Sequence, residues 1–274
     1  MDKILFVVIL YNQKLSESNV YKSLLSNKED SFDGIIVFDN SKYNQQKNID
    51  TLKLNIIYIW NKGVNYYLSK NYNTASKYAI ENDYNWLLLL DQDTIFPNDA
   101  ISKYKSAISD YPNEKIFAPK HKIQNGRYLS PAKPLLPLKK VACEGSYNIN
   151  KFIFINSGLL INISLFCSID GYDEDINLDF SDFQFFEKAK KEIKSVFVLD
   201  IECHQNFSNE NKDKSSLLHR YEIFCKNATN FKANNKIDRI EIFLLVIKHT
   251  LSLLVRCKSI SVIKILINKY FKTV

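Results

Sequence analysis

The chain has 274 residues, 46% hydrophobic and 24% charged, a globular balance sufficient for one large α/β domain or one domain with an appendage. Its net charge of +7 sits almost wholly in Lys236–Val274, where eight basic residues face two acidic ones. That distribution excludes a uniformly basic nucleic-acid binder and suits a tail that meets an anionic surface. Five cysteines without a CxxC pair exclude a disulfide framework or a zinc cluster, so the thiols are expected to be reduced.

Met1-Asp2-Lys3 is too short a charged region for a signal peptide, so Ile4–Leu10 is predicted to be a first strand, covered on both faces. Residues 15–27 carry Val20, Leu24 and Leu25 at helical spacing. Ile35–Phe38 and Leu54–Ile59 are two further apolar runs. Residues 68–82 read as a helix with Leu68, Ala75, Tyr78 and Ala79 on one face, and Trp86–Leu90 is a fourth strand. This β-α-β-β-α-β order predicts a Rossmann-like, mostly parallel sheet flanked by helices.

Beyond it, residues 99–110 look helical, and 119–148 are expected to be loop and edge strand because of Pro119, Pro131, Pro134 and Pro137. Phe152–Ile163 is apolar around Asn156-Ser157-Gly158, where Gly158 suits close backbone approach. Residues 182–194 are predicted helical, Val196–Ile201 a strand and 207–216 a polar loop. The chain then divides into a domain of residues 1–216 and a helical region, 217–274.

In open parallel sheets the ligand crevice lies outside the carboxyl ends of the strands. Four strands here end in polar residues: Tyr11-Asn12, Asp39-Asn40-Ser41, Asn61-Lys62-Gly63 and Asp91-Gln92-Asp93. The last is an Asp-x-Asp, whose carboxylates can share a hard divalent cation that bridges a diphosphate. Alone, such a tripeptide is more often a solvated turn.

The ordered set resembles the family 2 glycosyltransferases of the GT-A fold, and Leu88-Leu89-Leu90-Asp91-Gln92-Asp93-Thr94 looks like their rhamnosyltransferase branch. The likeness continues through Asn156–Ile161, Ile169–Asp175 and Leu178–Gln184, over roughly residues 4–230. It implies a nucleotide site at Tyr11, Asn12, Asp39, Asn40, Ser41, Asn61, Gly63 and Gln92. It implies Mg²⁺ or Mn²⁺ at Asp91 and Asp93 with His204 close by, and Asp182 as catalytic base with Asp179 as its rival. The implied reaction is inverting transfer from a dTDP- or UDP-sugar, L-rhamnose among the donors, to a lipid-linked saccharide in bacterial surface polysaccharide synthesis. Two departures stand out. Asp182-Phe183-Gln184 occupies the family's usual Asp-x-Glu, and Lys188 is the nearest basic residue where an Arg commonly follows.

Plain structural readings stand beside these. Asp39 and Asn40 suit turns, Asp182 suits a helix N-terminus, and His204 suits a surface. A non-catalytic nucleotide- or carbohydrate-binding scaffold remains open as an alternative function. A nucleotidyltransferase fits less well, because no Gly-rich phosphate loop follows the first strand. In the tail, Ile240, Phe243, Leu244, Ile247, Leu251, Leu254 and Val255 recur at helical spacing between basic residues. Either a cytoplasmic protein resting on the inner face of the membrane or a helix packed on protein would explain them.

Overall fold

The structure, a computed structural model, describes residues 2–27, 32–46, 56–123, 126–133, 136–138, 143–205 and 213–272. Strand β1 (Ile4–Leu10) is followed by α1 (Asn19–Ser26), β2 (Gly34–Asp39), β3 (Ile56–Trp60), α2 (Ser69–Glu81) and β4 (Trp86–Asp91). The four strands pair in parallel in the order β3-β2-β1-β4. Side chains alternate between faces along a strand. Leu5, Val7 and Ile9 therefore join Leu87, Leu89 and α2's Tyr72, Ala75 and Ala79 in one core layer. Ile4, Phe6, Val8 and Leu10 join Leu88, Leu90 and α1's Val20 and Leu24 in the other. Such double cover is why the β1 and β4 sequences are continuous apolar runs rather than alternating ones.

The second half adds β5 (Thr94–Ile95), α3 (Ala100–Asp110), β6 (Ile116–Lys122), β7 (Tyr128–Lys133), β8 (Leu136–Leu138) and β9 (Gly145–Asn148). Then come β10 (Leu160–Asn162), α4 (Ile163–Ser168), α5 (Ser181–Ala189) and β11 (Ser195–Gln205). Here the pairing becomes mixed: β10 lies antiparallel between β4 and β6, and β11 runs parallel to β6. Of the expected Phe152–Ile163 run only three residues form strand. The predicted helix 182–194 ends at Ala189, and the last strand continues to Gln205. Leu54, Pro134 and residues 207–212 lie outside the described residues. Gly158 adopts φ +77°, and a Cβ there would sit 2.5 Å from Pro119 Cγ, so it serves the expected close approach.

Helices α6 (Lys214–Asn230), α7 (Lys236–Cys257) and α8 (Ser261–Leu266) follow, and α8 runs on into a π-helical turn, Ile267–Phe271. The Asp213 carboxylate accepts the Ser215 and Ser216 amides, and Asn235 Oδ1 accepts those of Ile237 and Asp238. These are N-caps, each worth about 1 kcal/mol. The first places the start of α6 before residue 217. Tyr221, Cys225, Ile242, Val246, Leu253 and Val262 form a third apolar cluster that also takes in Ile176 and Phe180. The C-terminal helices are thus packed onto the segment that leads into α5.

Candidate active site

A cleft of about 980 Å³ opens at the carboxyl ends of β1 and β4. Asn12, Asn40, Asp91, Asp93, Asp179 and Asp182 all line it, together with Tyr11 and Gln92. The polar strand ends divide into two groups with different chemistry.

One group is saturated by its own surroundings. Asp39 is fully buried and accepts the Ser41 amide at 2.9 Å, the Gln45 amide at 3.0 Å and the Tyr58 hydroxyl at 2.8 Å. Burial, then the Asp39 carboxylate, push the Tyr58 phenol well above its usual range. Asn40 Oδ1 accepts from Asn61 Nδ2 at 2.8 Å and Asn71 Nδ2 at 3.1 Å, and its own amide donates to the Tyr67 carbonyl. Ser41 Oγ accepts the Asn12 amide at 2.8 Å, which holds Asn12 in the left-handed region at φ 52°. Asn is among the residues that tolerate that conformation. Gly63, at φ +82°, passes the Lys42 carbonyl so closely that a Cβ would lie 3.1 Å from its oxygen. Gln92 accepts the Tyr11 amide at 2.8 Å and donates back to the Tyr11 carbonyl, clamping the ends of β1 and β4 together. Asp39, Ser41, Asn61 and Gly63 stand behind the cleft wall rather than among its lining residues.

The other group is under-compensated. Asp91 ends β4 beside Asp93. Burial, then the charges of Asp93 and Asp182, push its carboxyl up to about 7. Asp182 occupies the first turn of α5 and accepts the Phe183 amide at 2.9 Å. Burial also pushes Asp182 up to about 7, with that N–H acting against the rise and Asp179 adding to it. The residue between them, Phe180, is held at φ 65° and buried against Phe224 and Phe183, with ring centroids 4.8 and 5.8 Å away. A left-handed Phe is a strained conformation that only surrounding packing sustains. It reverses the chain so that Asp179 and Asp182 both reach the cleft. Asn156 steadies this turn, accepting the Tyr172 hydroxyl at 2.7 Å and donating to Ser181 Oγ at 3.1 Å. Asp179 Oδ1 accepts from Arg220 at 2.8 Å, whereas its buried Oδ2 has no hydrogen-bond partner among the described residues.

Among the described residues, no three His, Cys, Asp or Glu side chains cluster as a closed metal cage. The donor set nonetheless fits Mg²⁺ or Mn²⁺ in an open site. Two crowded carboxylates at a cleft suit a cation that keeps water and takes substrate oxygens. The raised Asp91 carboxyl is the sign that positive charge would be welcome there. His204 does not join this group. Its ring is half exposed, lies 3.5 Å from Glu202 Oε1, and belongs to the β11 end that pairs with Ile95, outside the cleft lining.

Neither departure from the family pattern leaves a gap in the cleft. Lys188 donates to the carbonyls of Asp170 and Gly171, away from the cleft, and Gln184 binds the Lys232 backbone at 2.7 Å, fastening α5 to the C-terminal helices. The cations of the cleft come instead from α6 and α7. Ser216, His219, Arg220 and Ile223 line it from α6, and Leu245, Lys248, His249 and Ser252 from α7. Both sets follow the i, i+3, i+4, i+7 spacing of one helical face. That periodicity is present in the sequence. It is hidden because the adjoining faces of the same helices are apolar.

The sheet order, the cleft at the strand ends and its acidic rim define a GT-A-type transferase fold. The chain belongs to glycosyl transferase family 2, whose profile matches residues 5–167. Among solved structures, S. aureus TarS 1–349 is similar at a TM-score of 0.58 and 18% identity, over 91% of this chain and 72% of that one. The same TarS segment in complex with UDP-GlcNAc gives 0.56 and 16%, over 91% and 73%. GalNAc-T7 with UDP, GalNAc and Mn²⁺ gives 0.53 and 12%, over 81% and 47%. At these identities the shared property is the fold. A search of curated proteins found no significant match.

Proposed function

We propose that the chain is an inverting, metal-assisted glycosyltransferase that moves a sugar from a dTDP- or UDP-sugar to a lipid-linked saccharide in bacterial surface polysaccharide synthesis. The observation that carries this reading is the meeting of Asp91 and Asp93 with Asp182 in one cleft of about 980 Å³. Asp91 and Asp93 would hold Mg²⁺ or Mn²⁺, which would supply charge neutralisation to the leaving diphosphate. Asn12, Asn40 and Tyr11 line the part of the cleft formed by the first strand ends, where the nucleoside would rest. The remaining step falls to Asp182, which accepts the proton of the attacking hydroxyl and whose carboxyl near 7 is matched to neutral conditions. Asp179 is the weaker candidate for that role because Arg220 already occupies one of its oxygens.

The UDP and UDP-GlcNAc complexes of the structural neighbours support a nucleotide-sugar donor, and the Leu-Leu-Leu-Asp-Gln-Asp-Thr run favours L-rhamnose among the sugars to be tried. The C-terminal helices support a reading of membrane attachment. No described helix is long and apolar enough to cross a membrane. Yet Ile240, Leu251, Val255 and Ile260 are 57%, 58%, 75% and 69% exposed beside the basic residues of the tail. An interfacial helix on an anionic leaflet buries such a face. The Asp182 carboxylate placed beside the Asp91–Asp93 pair in one cleft favours the enzyme over a binding scaffold without turnover. The test is release of nucleoside diphosphate from a panel of dTDP- and UDP-sugars with Mn²⁺ and short lipid-linked saccharides. Release with one donor is expected, and binding of a donor without release under any pairing would favour the scaffold. In flotation assays the protein should rise with phosphatidylglycerol vesicles, and Leu251→Asp/Val255→Asp should leave it at the bottom.

A further inference from the structure

Helix α7 has three faces. At 3.6 residues per turn, successive side chains are about 100° apart. Ile242, Val246, Thr250 and Leu253 point into the third apolar cluster or its buried edge. Leu245, Lys248, His249 and Ser252 face the cleft. Ile240, Leu244, Leu251 and Val255 form an exposed stripe opposite the buried face. On this wheel Lys248 falls on the seam between the stripe and the cleft.

The charge of the cleft is divided in the same direction. The four carboxylates Asp91, Asp93, Asp179 and Asp182 come from the sheet side and the start of α5, while Arg220 and Lys248 come from the helical wall. The Lys248 side chain is exposed and makes no hydrogen bond or ion pair with the described residues. Arg220 spends one nitrogen on Asp179 and keeps further donors, with its side chain 37% exposed. His249 adds little charge, because burial pushes its pKa down and Arg220 and Arg256 act the same way, against Asp179. Its ring lies against Phe224, with centroids 4.5 Å apart.

We infer that Lys248 and Arg220 form a phosphate-binding subsite for the acceptor, placed where the exposed apolar stripe of α7 meets the cleft. The inference rests on the transferase reading above and adds the residues that would recognise the acceptor. The donor's diphosphate belongs at the acidic end with its cation. A second phosphate-bearing group, entering from the α6–α7 side, would meet two cations and then the Asp182 carboxylate. A lipid carrier would lay its chain along the stripe and its phosphate at Lys248. A soluble phosphate-bearing saccharide would use the same cations without the stripe.

Calorimetry on the full chain saturated with UDP and Mn²⁺ tests this, with octyl diphosphate and inorganic pyrophosphate as probes. Saturable binding of at least octyl diphosphate is expected, weakened about tenfold by Lys248→Ala, with UDP affinity unchanged. Tighter binding of octyl diphosphate than of pyrophosphate assigns the subsite to a lipid carrier, and equal affinities assign it to a soluble acceptor. No binding of either probe, displacement of UDP by the probes, or loss of UDP affinity in Lys248→Ala would overturn the inference. Failure of UDP itself to bind the wild-type chain would instead strike at the transferase reading.

Discussion

The Asp39 cluster and the Asp91–Asp182 cluster start from the same kind of residue at the same kind of place. Both are carboxylates delivered by strand ends or loops to the carboxyl edge of one sheet. Asp39 is enclosed by three donors, and its neighbours Asn40, Asn61 and Asn71 bond to one another. Asp91 and Asp182 are half-buried at the cleft beside other carboxylates, and both are pushed up to about 7. The first arrangement is complete without a ligand and builds the wall. The second is costly without one, and that cost is what a cation and a proton-bearing acceptor relieve.

The largest expected effect comes from Asp182→Asn, which should lower transfer by about a thousandfold or more, at the scale of a general base, while nucleotide affinity stays within about twofold. Asp91→Asn should reduce transfer comparably, but by losing the metal-dependent part of nucleotide binding. Next comes an opposition in stability. Asp39→Ala strands the Ser41 and Gln45 amides and the Tyr58 hydroxyl and should cost about 2–3 kcal/mol in a denaturant titration. Asp91→Asn should raise the stability of the metal-free protein at pH 8. Asp39→Ala without a measurable loss, or Asp91→Asn with one, would break the distinction between the clusters.

The same contrast has a pH signature. A carboxyl whose pKa is raised on folding binds its proton more tightly in the folded state. Its stabilisation is full below the unfolded value of 3.8 and is lost as pH rises through about 7. The metal-free protein should therefore lose melting temperature between pH 4 and 8, and Mn²⁺ should restore more of it at pH 8 than at pH 5. Activity runs the other way, since Asp182 works deprotonated. kcat/KM should rise with pH along a limb at about 7, or lower once a cation stabilises the carboxylate. The smallest effect belongs to His204→Ala, which removes an exposed pairing with Glu202. It should change transfer by less than about threefold, as for other exposed pairs.

How much of this was legible depended on whether the signal was local. Ile4–Leu10 and Trp86–Leu90 announced buried parallel strands because double-sided burial demands unbroken apolar runs, and the polar residues after them marked the crevice. β10 was not legible as the strand that joins the two halves of the sheet. It is three residues long and owes its place to β4 and β6, far away in sequence. Nor could composition tell Asp39 from Asp91, because the difference lies in Tyr58 and Gln45 donors that only the fold supplies. The Arg220–Asp179 pair spans 41 residues, so the helical spacing within α6 and α7 could not by itself show that this face meets the cleft. His204 lies near the end of a strand, as a site residue could, but that strand end pairs with Thr94 and Ile95, and His204 is not among the cleft's lining residues.

The account turns on whether the acidic cluster holds a cation for a nucleoside diphosphate. Calorimetric titration of UDP and dTDP, with and without Mn²⁺, into the wild-type chain and into Asp91→Asn decides it. The account predicts at least one nucleotide whose affinity Mn²⁺ raises about tenfold or more in the wild type, with that gain absent in Asp91→Asn. Equal affinities with and without Mn²⁺, or a gain that survives in Asp91→Asn, would contradict it.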